Sequence, residues 1–408
     1  MRRTHVFASC LLLALLLTGA AQPSVANAAE ISVGNGGTYN TVAQAIDAAH
    51  PGDTIVLGPG TYNENLVVNK PLTIVGNGSS TTIIQAADPS KDVLQLKSNN
   101  IRIEGLTVRG ASGAAGVNVD QVDSCVVAGI SAHENVRGVY LNHATNNEVR
   151  NSNLADNGYG VYGDYASSNT ISNNVATGEK GYGNTLGDGI YLFYSDSNTI
   201  TENDLSGNHV YGISLYHSSN NTISTNTISK NEQIGVRLRE CDNNIFKFNT
   251  ISGNAQQGIL IIETTGNQIY LNSFINQLND LTNSPETKLD SPQKMAYTYN
   301  GSAQTGYMGN YYSDYKGDDK NGDGISDVAT SFGDSHPLVQ PVDHYGSISI
   351  ATATPSPSAK ANVSTNTITS STEQANNASK TPGFEVGGAL AAIAILTLFL
   401  KRSYGKQP

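Results

Sequence analysis

Apolar residues along this chain fall into short alternating runs that return at a fixed interval. A Gly followed by Val or Ile recurs at Gly116, Gly138, Gly160, Gly189, Gly212, Gly235 and Gly258, with spacings of 22, 22, 29, 23, 23 and 23. A second marker, a polar residue two before Ile, Val or Phe, recurs at Asn147, Asn169, Asn198, Asn221, Asn244 and Asn267 in the same register. A third series, Asn203, Asn226, Asn249 and Asn272, keeps 23 throughout. Each repeat carries three alternating runs, for example Asn244–Phe246, Asn249–Ser252 and Gly258–Ile261. Alternation over three to five residues is a strand signal, and the runs are too short for helices. Three strands per repeat, all turning the same way, predict one coil of a right-handed parallel β-helix, with successive coils about 4.8 Å apart. Asparagines at one position of successive coils then stack as hydrogen-bonded ladders. The predicted fold is all-β, about eleven coils, with one short N-terminal helix. That helix starts after Asn40 as its cap and turns Val42, Ala45, Ile46 and Ala49 to one side, a cover for the open first coil.

Composition agrees with this reading. Of 408 residues, 44 are Asn and 41 are Gly, and none is Trp. Charged residues make up 14 %, against roughly 25 % in ordinary globular chains. Asn and Gly suit turns and left-handed backbone and are poor helix formers. An all-α bundle and a doubly wound α/β fold are therefore excluded. A net charge of −11 argues against a nucleic-acid partner. Three cysteines make no disulfide framework; Cys125 and Cys241 fall several coils apart and are expected as buried free thiols.

Both ends read as addresses. Arg2 and Arg3, the apolar run Cys10–Leu17 and the small residues Ala26–Ala28 form an export signal over residues 1–28. The β-helix is expected over 29–290 and a C-terminal cap over 291–345. Residues 346–381 hold 15 Ser or Thr in 36 positions, with glycosylation sequons at Asn362 and Asn377, and read as a stalk. Residues 382–408 begin Pro382-Gly383-Phe384, continue through apolar Val386–Leu400 and end in Lys401 and Arg402 with a short tail. This order resembles the Pro-Gly-Phe sorting signal of archaeal surface proteins, which implies a sorting enzyme that removes the tail and leaves a lipid-linked end. A plain transmembrane anchor is the alternative. Either places the body outside the cell.

The segment Pro51–Val68 resembles the opening of carbohydrate-associated β-helix proteins, including pectate lyases and pectin esterases. The coils from Asn147 to Asn276 resemble the NosD-type β-helix family. In such a fold the outward side chains of one sheet carry binding or chemistry. Following each repeating Gly, Val139, Leu141, Val161, Ile190, Leu192, Ile213, Leu215, Val236, Leu238, Ile259 and Ile261 are expected inside. The outward columns are Tyr140, Tyr162, Tyr191, Ser214, Arg237, Leu260, and Asn142, Asp164, Phe193, Tyr216, Arg239, Ile262. At the next bend stand His143, Tyr165, Tyr194, His217, Glu240 and Glu263. A seven-residue expansion near Thr177–Asp188 falls beside them. Aromatics with interleaved polar groups suit sugar rings, so Tyr140, Tyr162, Tyr191, Phe193 and Tyr216 are the candidate polysaccharide contacts. Cross-strand stacking for stability explains the same residues equally well.

Catalysis has scattered candidates. A hydrolase needs two carboxylates about 5–9.5 Å apart, and Asp164 and Asp188 are the nearest acids. A lyase or epimerase needs a base beside a neutralising cation, which His217, Arg237 and Arg239 offer. No pectin-esterase motif is present. NosD-type proteins are named for copper-centre maturation, but copper is not expected here: the eight His are dispersed, and only Met295 and Met308 lie outside the leader.

The acidic segment Asp319, Asn321, Asp323, Gly324, Ile325 and Asp327 places oxygen side chains at positions 1, 3, 5 and 9 of a loop, Gly at 6 and a backbone carbonyl at 7. That spacing begins a calcium loop. Thr330 stands at position 12 where an EF-hand carries Glu, so the segment resembles the shorter loops of dockerin-like or thrombospondin-type repeats. A solvated acidic turn is the alternative. Gly309–Tyr315 with this loop resembles the closing segment of archaeal NosD-like surface proteins, with Tyr312 where those often have Trp. The expected role is an envelope protein that binds polysaccharide or glycoprotein. A polysaccharide lyase, epimerase or hydrolase using the same groove, and a passive envelope or adhesion component, are the alternatives.

Overall fold

The computed structural model describes residues 28–181, 187–279 and 286–351. The export signal up to residue 27, the stalk beyond residue 351 and the sorting segment lie outside the described residues. So does the middle of the expansion after Thr177. Residues 346–350, expected as the start of the stalk, instead pair as a strand with Met295–Tyr299 and belong to the cap.

The chain winds into the expected parallel β-helix. One face is an eleven-stranded parallel sheet from Glu30–Val33 to Gln268–Tyr270, and a second is a nine-stranded sheet from Leu66–Val68 to Gln257–Ile262. The third face is two four-stranded parallel sheets, joined by single bridges from Ser131 through Asn153, Val175 and Asp204 to Thr227. Every predicted inward residue after the repeating Gly is buried, and these side chains form one continuous apolar core with Cys125 and Cys241 inside it.

Two local devices make the coil possible. The repeating Gly is needed because coils approach closely there: a β-carbon on Gly138 would stand 2.7 Å from the Gly160 carbonyl oxygen, and one on Gly235 2.6 Å from that of Gly258. The corners turn through left-handed residues in fixed register. His143, Tyr165, Tyr194, His217, Glu240 and Glu263 have φ of 49°, 49°, 45°, 49°, 55° and 53°, each at a cost of roughly 1–2 kcal/mol for a residue with a β-carbon.

Asparagine ladders satisfy the corner backbone. In one, the Asn226 Oδ1 accepts the Asn203 backbone N–H at 2.9 Å and its Nδ2 at 3.0 Å. The Asn226 Nδ2 then donates to the carbonyls of Ile200 and Ser224 and to the Asn249 Oδ1, each at 3.0 Å. This ladder continues through Asn249, Asn272 and Asn310 and ends at Asp334. A second runs from Asn147 to Asn267. A third runs from Asn135 to Asn279 and ends at Asp314.

Both ends of the coil stack are covered. The helix Val42–Ala48 buries Val42, Ala45 and Ile46 in the core. Thr41, not Asn40, is its cap: the Thr41 Oγ1 accepts the Gln44 N–H at 3.3 Å. Glu64 strengthens the same end, its two carboxylate oxygens accepting the Val42 and Ala43 N–H at 2.9 Å each. At the far end, Tyr311–Tyr312 pairs in parallel with Ser273–Ile275, so the cap segment completes the last coil. An antiparallel sheet of Met295–Tyr299, Ser302–Gly306 and Gly346–Ile350 closes it.

Replacing a ladder rung leaves several buried partners unpaired. Asn226→Ala is expected to destabilise the fold by about 3 kcal/mol, while exposed Thr227→Ala stays within about 0.5 kcal/mol, read by chemical denaturation.

Candidate functional site

Register brings the predicted outer columns together. Tyr140, Tyr162, Tyr191, Ser214, Arg237 and Leu260 are cross-strand partners in order, as are Asn142, Asp164, Phe193, Tyr216, Arg239 and Ile262. A further outer group stands at the strand starts: Arg137, Tyr159 and Tyr211, missed from sequence, together with the candidate acid Asp188. The Arg137 guanidinium lies 4.7 Å from the Tyr140 ring centre and 4.8 Å from that of Tyr162. Tyr159 packs on Tyr162 at 5.2 Å and on Tyr191 at 5.7 Å. Residues immediately before the repeating Gly carried the signal: Arg137, Tyr159, Asp188 and Tyr211 hold that place in successive repeats.

The rings mostly face one another. Tyr162 and Tyr191 stack at 5.2 Å and 22°. Phe193 packs on Tyr216 at 5.5 Å. Along the bend, His143, Tyr165, Tyr194 and His217 form a pile with centre distances of 5.0, 5.0 and 4.5 Å and angles of 16°, 6° and 16°. Tyr165 and Tyr194 thus have neighbours on both faces, yet remain 49 % and 40 % exposed through their edges and hydroxyls. The tile offers ring edges, hydroxyls and guanidinium groups more than open ring faces. Ser214, expected outward, is fully buried beneath its neighbours.

Polar groups collect at one end of the tile. Arg239 sits 5.1 Å from the Tyr216 ring centre, with its Nε 3.3 Å from Glu240. The His217 Nδ1 is 3.2 Å from the other Glu240 oxygen. Arg237 lies 5.6 Å from the Tyr211 ring centre. Among the described residues neither Arg137 nor Arg237 is in an ion pair. His217 and Arg239 are therefore brought together on Glu240, while Arg237, two residues earlier on the strand of Arg239, turns to Tyr211 and the Asp188 end. At the other end, the Tyr140 hydroxyl donates toward Asn142 at 3.2 Å or Asp164 at 3.3 Å, and burial pushes its pKa up to about 12.

The two acids are not brought together. Asp188 is partnered with Tyr159 and Asp164 with Phe193, five residues apart along paired strands. At roughly 3.3 Å per residue that is about 17 Å, well beyond a hydrolase pair. Asp188 is fully buried. One oxygen accepts the Tyr211 N–H at 3.2 Å, and Oδ2 has no hydrogen-bond partner. Burial pushes its pKa up to about 8, partly offset by the Tyr211 N–H and by Arg237.

In the acidic loop, the Asp319 Oδ1 accepts the N–H groups of Gly322 and Asp323 at 2.8 and 3.1 Å, and its Oδ2 that of Gly324 at 2.9 Å. Asp323 accepts the Ile325 N–H at 2.8 Å, and Asp327 the Lys320 N–H at 2.9 Å. Gly322 and Gly324 supply left-handed turns with φ of 74° and 91°.

A family profile described as periplasmic copper-binding protein (NosD) matches residues 46–188 and 182–317, together well over half of the chain. The chain belongs to the NosD family. A cell surface glycoprotein of Methanothermus fervidus is 37 % identical over 119 residues, 28 % of this chain and 19 % of that protein. The chain thus matches about a fifth of that curated relative. The Dettilon tailspike protein shares the fold with a TM-score of 0.51 at 17 % identity, over 58 % of this chain and 50 % of the tailspike. Pectate lyase Pel9A overlays with a TM-score of 0.45 at 16 % identity, over 64 % of this chain and 78 % of the lyase.

The donor set of this NosD chain does not fit copper. Met308 is fully buried and Met295 nearly so, both in the apolar cluster of the cap. Burial raises the Cys125 thiol and pushes that of Cys241 up to about 11, against the thiolate a soft metal needs. His209, His217 and His336 pair with Glu232, Glu240 and Asp290 at separate places. Among the described residues no three of His, Cys, Asp and Glu gather as a metal group.

The raised Asp188 pKa gives a pH signature. The folded state holds this proton to about pH 8 while the unfolded chain releases it near pH 4. Its contribution to stability is therefore full below pH 4 and lost as pH rises to 8. Asp188→Asn is expected to remove part of that decline in melting temperature between pH 5 and 8.

Proposed function

We propose that this NosD-family chain is an exported envelope protein that holds polysaccharide or glycoprotein glycans on the tiled outer face from Arg137 to Arg239. The observation that carries the reading is the tile itself. Tyrosine edges and hydroxyls run over successive coils between Arg137 on the first of five and Arg237 and Arg239 on the last, a linear array matched to a linear polymer. The likeness to a cell surface glycoprotein supports a surface location. So do the predicted export signal, the sequon-bearing stalk and the sorting segment, which calls for a sorting enzyme as a second partner. Arg137 and Arg237, which form no ion pair among the described residues, favour acidic sugars over neutral ones. On this reading Tyr191→Ala with Tyr216→Ala abolishes retention on a glycan array, and acidic glycans lead the wild-type signal. Unchanged retention by the double variant rejects glycan binding here and leaves the rings as stacking partners only.

A lyase or epimerase is the second reading, favoured by His217 and Arg239 meeting at Glu240, with Arg237 two residues along the same strand. There His217 would be the base and the arginines would neutralise the sugar carboxylate. Unsaturated product from a retained acidic glycan would decide for a lyase, and an inverted sugar carbon without unsaturation for an epimerase, either one lost in His217→Ala.

We propose further that the Asp319–Asp327 loop takes calcium as a structural ion of the cap, with Asp319, Asn321, Asp323 and Asp327 giving side-chain oxygens and Ile325 its carbonyl. The alternating oxygen spacing and the two left-handed glycines support this. Calorimetry is expected to show binding at millimolar calcium or below, together with a higher melting temperature. No heat and no shift would remove calcium from the account.

A further inference from the structure

The third ladder carries one residue that does not match the rest. Its rungs are Asn135, Asn157, position 179, Asn208, Asn231, Asn254 and Asn276, and position 179 is Glu. An asparagine rung has two tasks. Its oxygen accepts the N–H of the rung one coil earlier, and its amide nitrogen donates onward. Glu179 performs the first: its Oε2 accepts the Asn157 N–H at 2.6 Å. Its own N–H donates to the Asn208 Oδ1 at 3.1 Å, keeping the register.

The second task falls to Oε1, and its position is diagnostic. A β-carbon on Gly116, Gly138, Gly189, Gly212, Gly235 or Gly258 would stand 2.6–3.1 Å from the amide nitrogen of the adjacent ladder asparagine. A β-carbon on Gly160 would stand 3.2 Å from the Glu179 Oε1. Oε1 therefore occupies the seat that a donor nitrogen fills in the other coils. Around that seat the ladder offers acceptors: the Asn157 and Asn208 nitrogens in the adjoining coils donate to main-chain carbonyls, and those of Asn135 and Asn231 also to the next Oδ1. Oε1 is buried and has no partner as a bare oxygen. An ionised carboxylate has no hydrogen to give; a carboxylic acid has one. Carboxylates at ladder ends differ, because Asp334 and Asp314 only need to accept.

We propose that Glu179 is a protonated rung, whose Oε1–H replaces the asparagine amide N–H and makes this coil the pH-sensitive point of the ladder. Burial raises the Glu179 pKa well above its ordinary value, the Asn157 N–H opposes this, Asp156 adds to it and Lys180 opposes it. Lys180 is itself paired with Asp156 at 2.7 Å. His209 donates its backbone N–H to the Glu179 carbonyl, while its ring pairs with Glu232. Asp188, also a fully buried acid, follows the expansion that Glu179 precedes. The two stems meet there: a β-carbon on Gly187 would stand 2.9 Å from the Glu179 carbonyl oxygen. Ionising Glu179 sets a charge against acceptors at that neck, beside the tiled face.

The sign follows from linkage. A carboxyl with a raised folded pKa stabilises fully below the unfolded pKa and loses that contribution as pH rises toward the folded pKa. Glu179→Gln places an amide in the same seat with no proton to lose. In denaturation of the full chain, the variant is expected to exceed wild type, with the ratio of unfolding constants growing roughly tenfold per pH unit above about pH 5. Infrared spectra of wild type labelled with ¹³C-glutamate at pH 6 are expected to show a protonated carboxyl band, which holds the test even if the variant folds poorly. A ratio constant with pH, or no such band, overturns the proposal.

Discussion

The structure depends on satisfying the backbone at the corners of a coil. A chain that turns three times every 23 residues leaves main-chain N–H and C=O groups at each corner, inside a stack where water cannot reach them. An unpaired buried group costs about 1–3 kcal/mol. Asparagine solves this in the coil direction, because one side chain both accepts and donates and each rung readies the next. Everything outside the core inherits its position from these ladders. They fix which residues share a level, and the repeating glycines let the levels come close enough to bond.

That rigidity explains the outer face. Side chains on successive coils stand one strand spacing apart, close to the stacking distance of aromatic rings. Tyrosines placed there stack on each other whether or not a ligand exists. The same register that builds the tile also consumes the ring faces. What remains for recognition is a line of hydroxyls, edges and guanidinium groups. Catalysis by a carboxylate pair fails for a related reason: Asp164 and Asp188 sit at opposite ends of their strands, and a rigid solenoid cannot bring them together.

The places where the ladder departs from asparagine are informative. Asp334 and Asp314 end their ladders, where only an acceptor is needed. Glu179 interrupts one, where a donor is needed as well. The chemistry of a single atom, Oε1, distinguishes the two situations. Family membership does not bring copper chemistry with it, because the thiols and thioethers here are spent on the core and the cap.

Periodicity alone determined the architecture: the glycine and asparagine intervals gave the coil, the inward columns and the outward ones, since strand alternation leaves little freedom. It also placed the helix, although Thr41 rather than Asn40 caps it, a choice made by local backbone geometry. Tertiary structure decided what no interval carries. It buried Ser214 and Asp188 although both lie on the outer face, separated Asp164 from Asp188, drew His217 and Arg239 to Glu240, and turned Arg237 to Tyr211. It also brought Arg137 and the buried Tyr159 into the tile. Those outcomes depend on which side chains meet between coils, and sequence spacing fixes the level of a residue without fixing the atoms it faces.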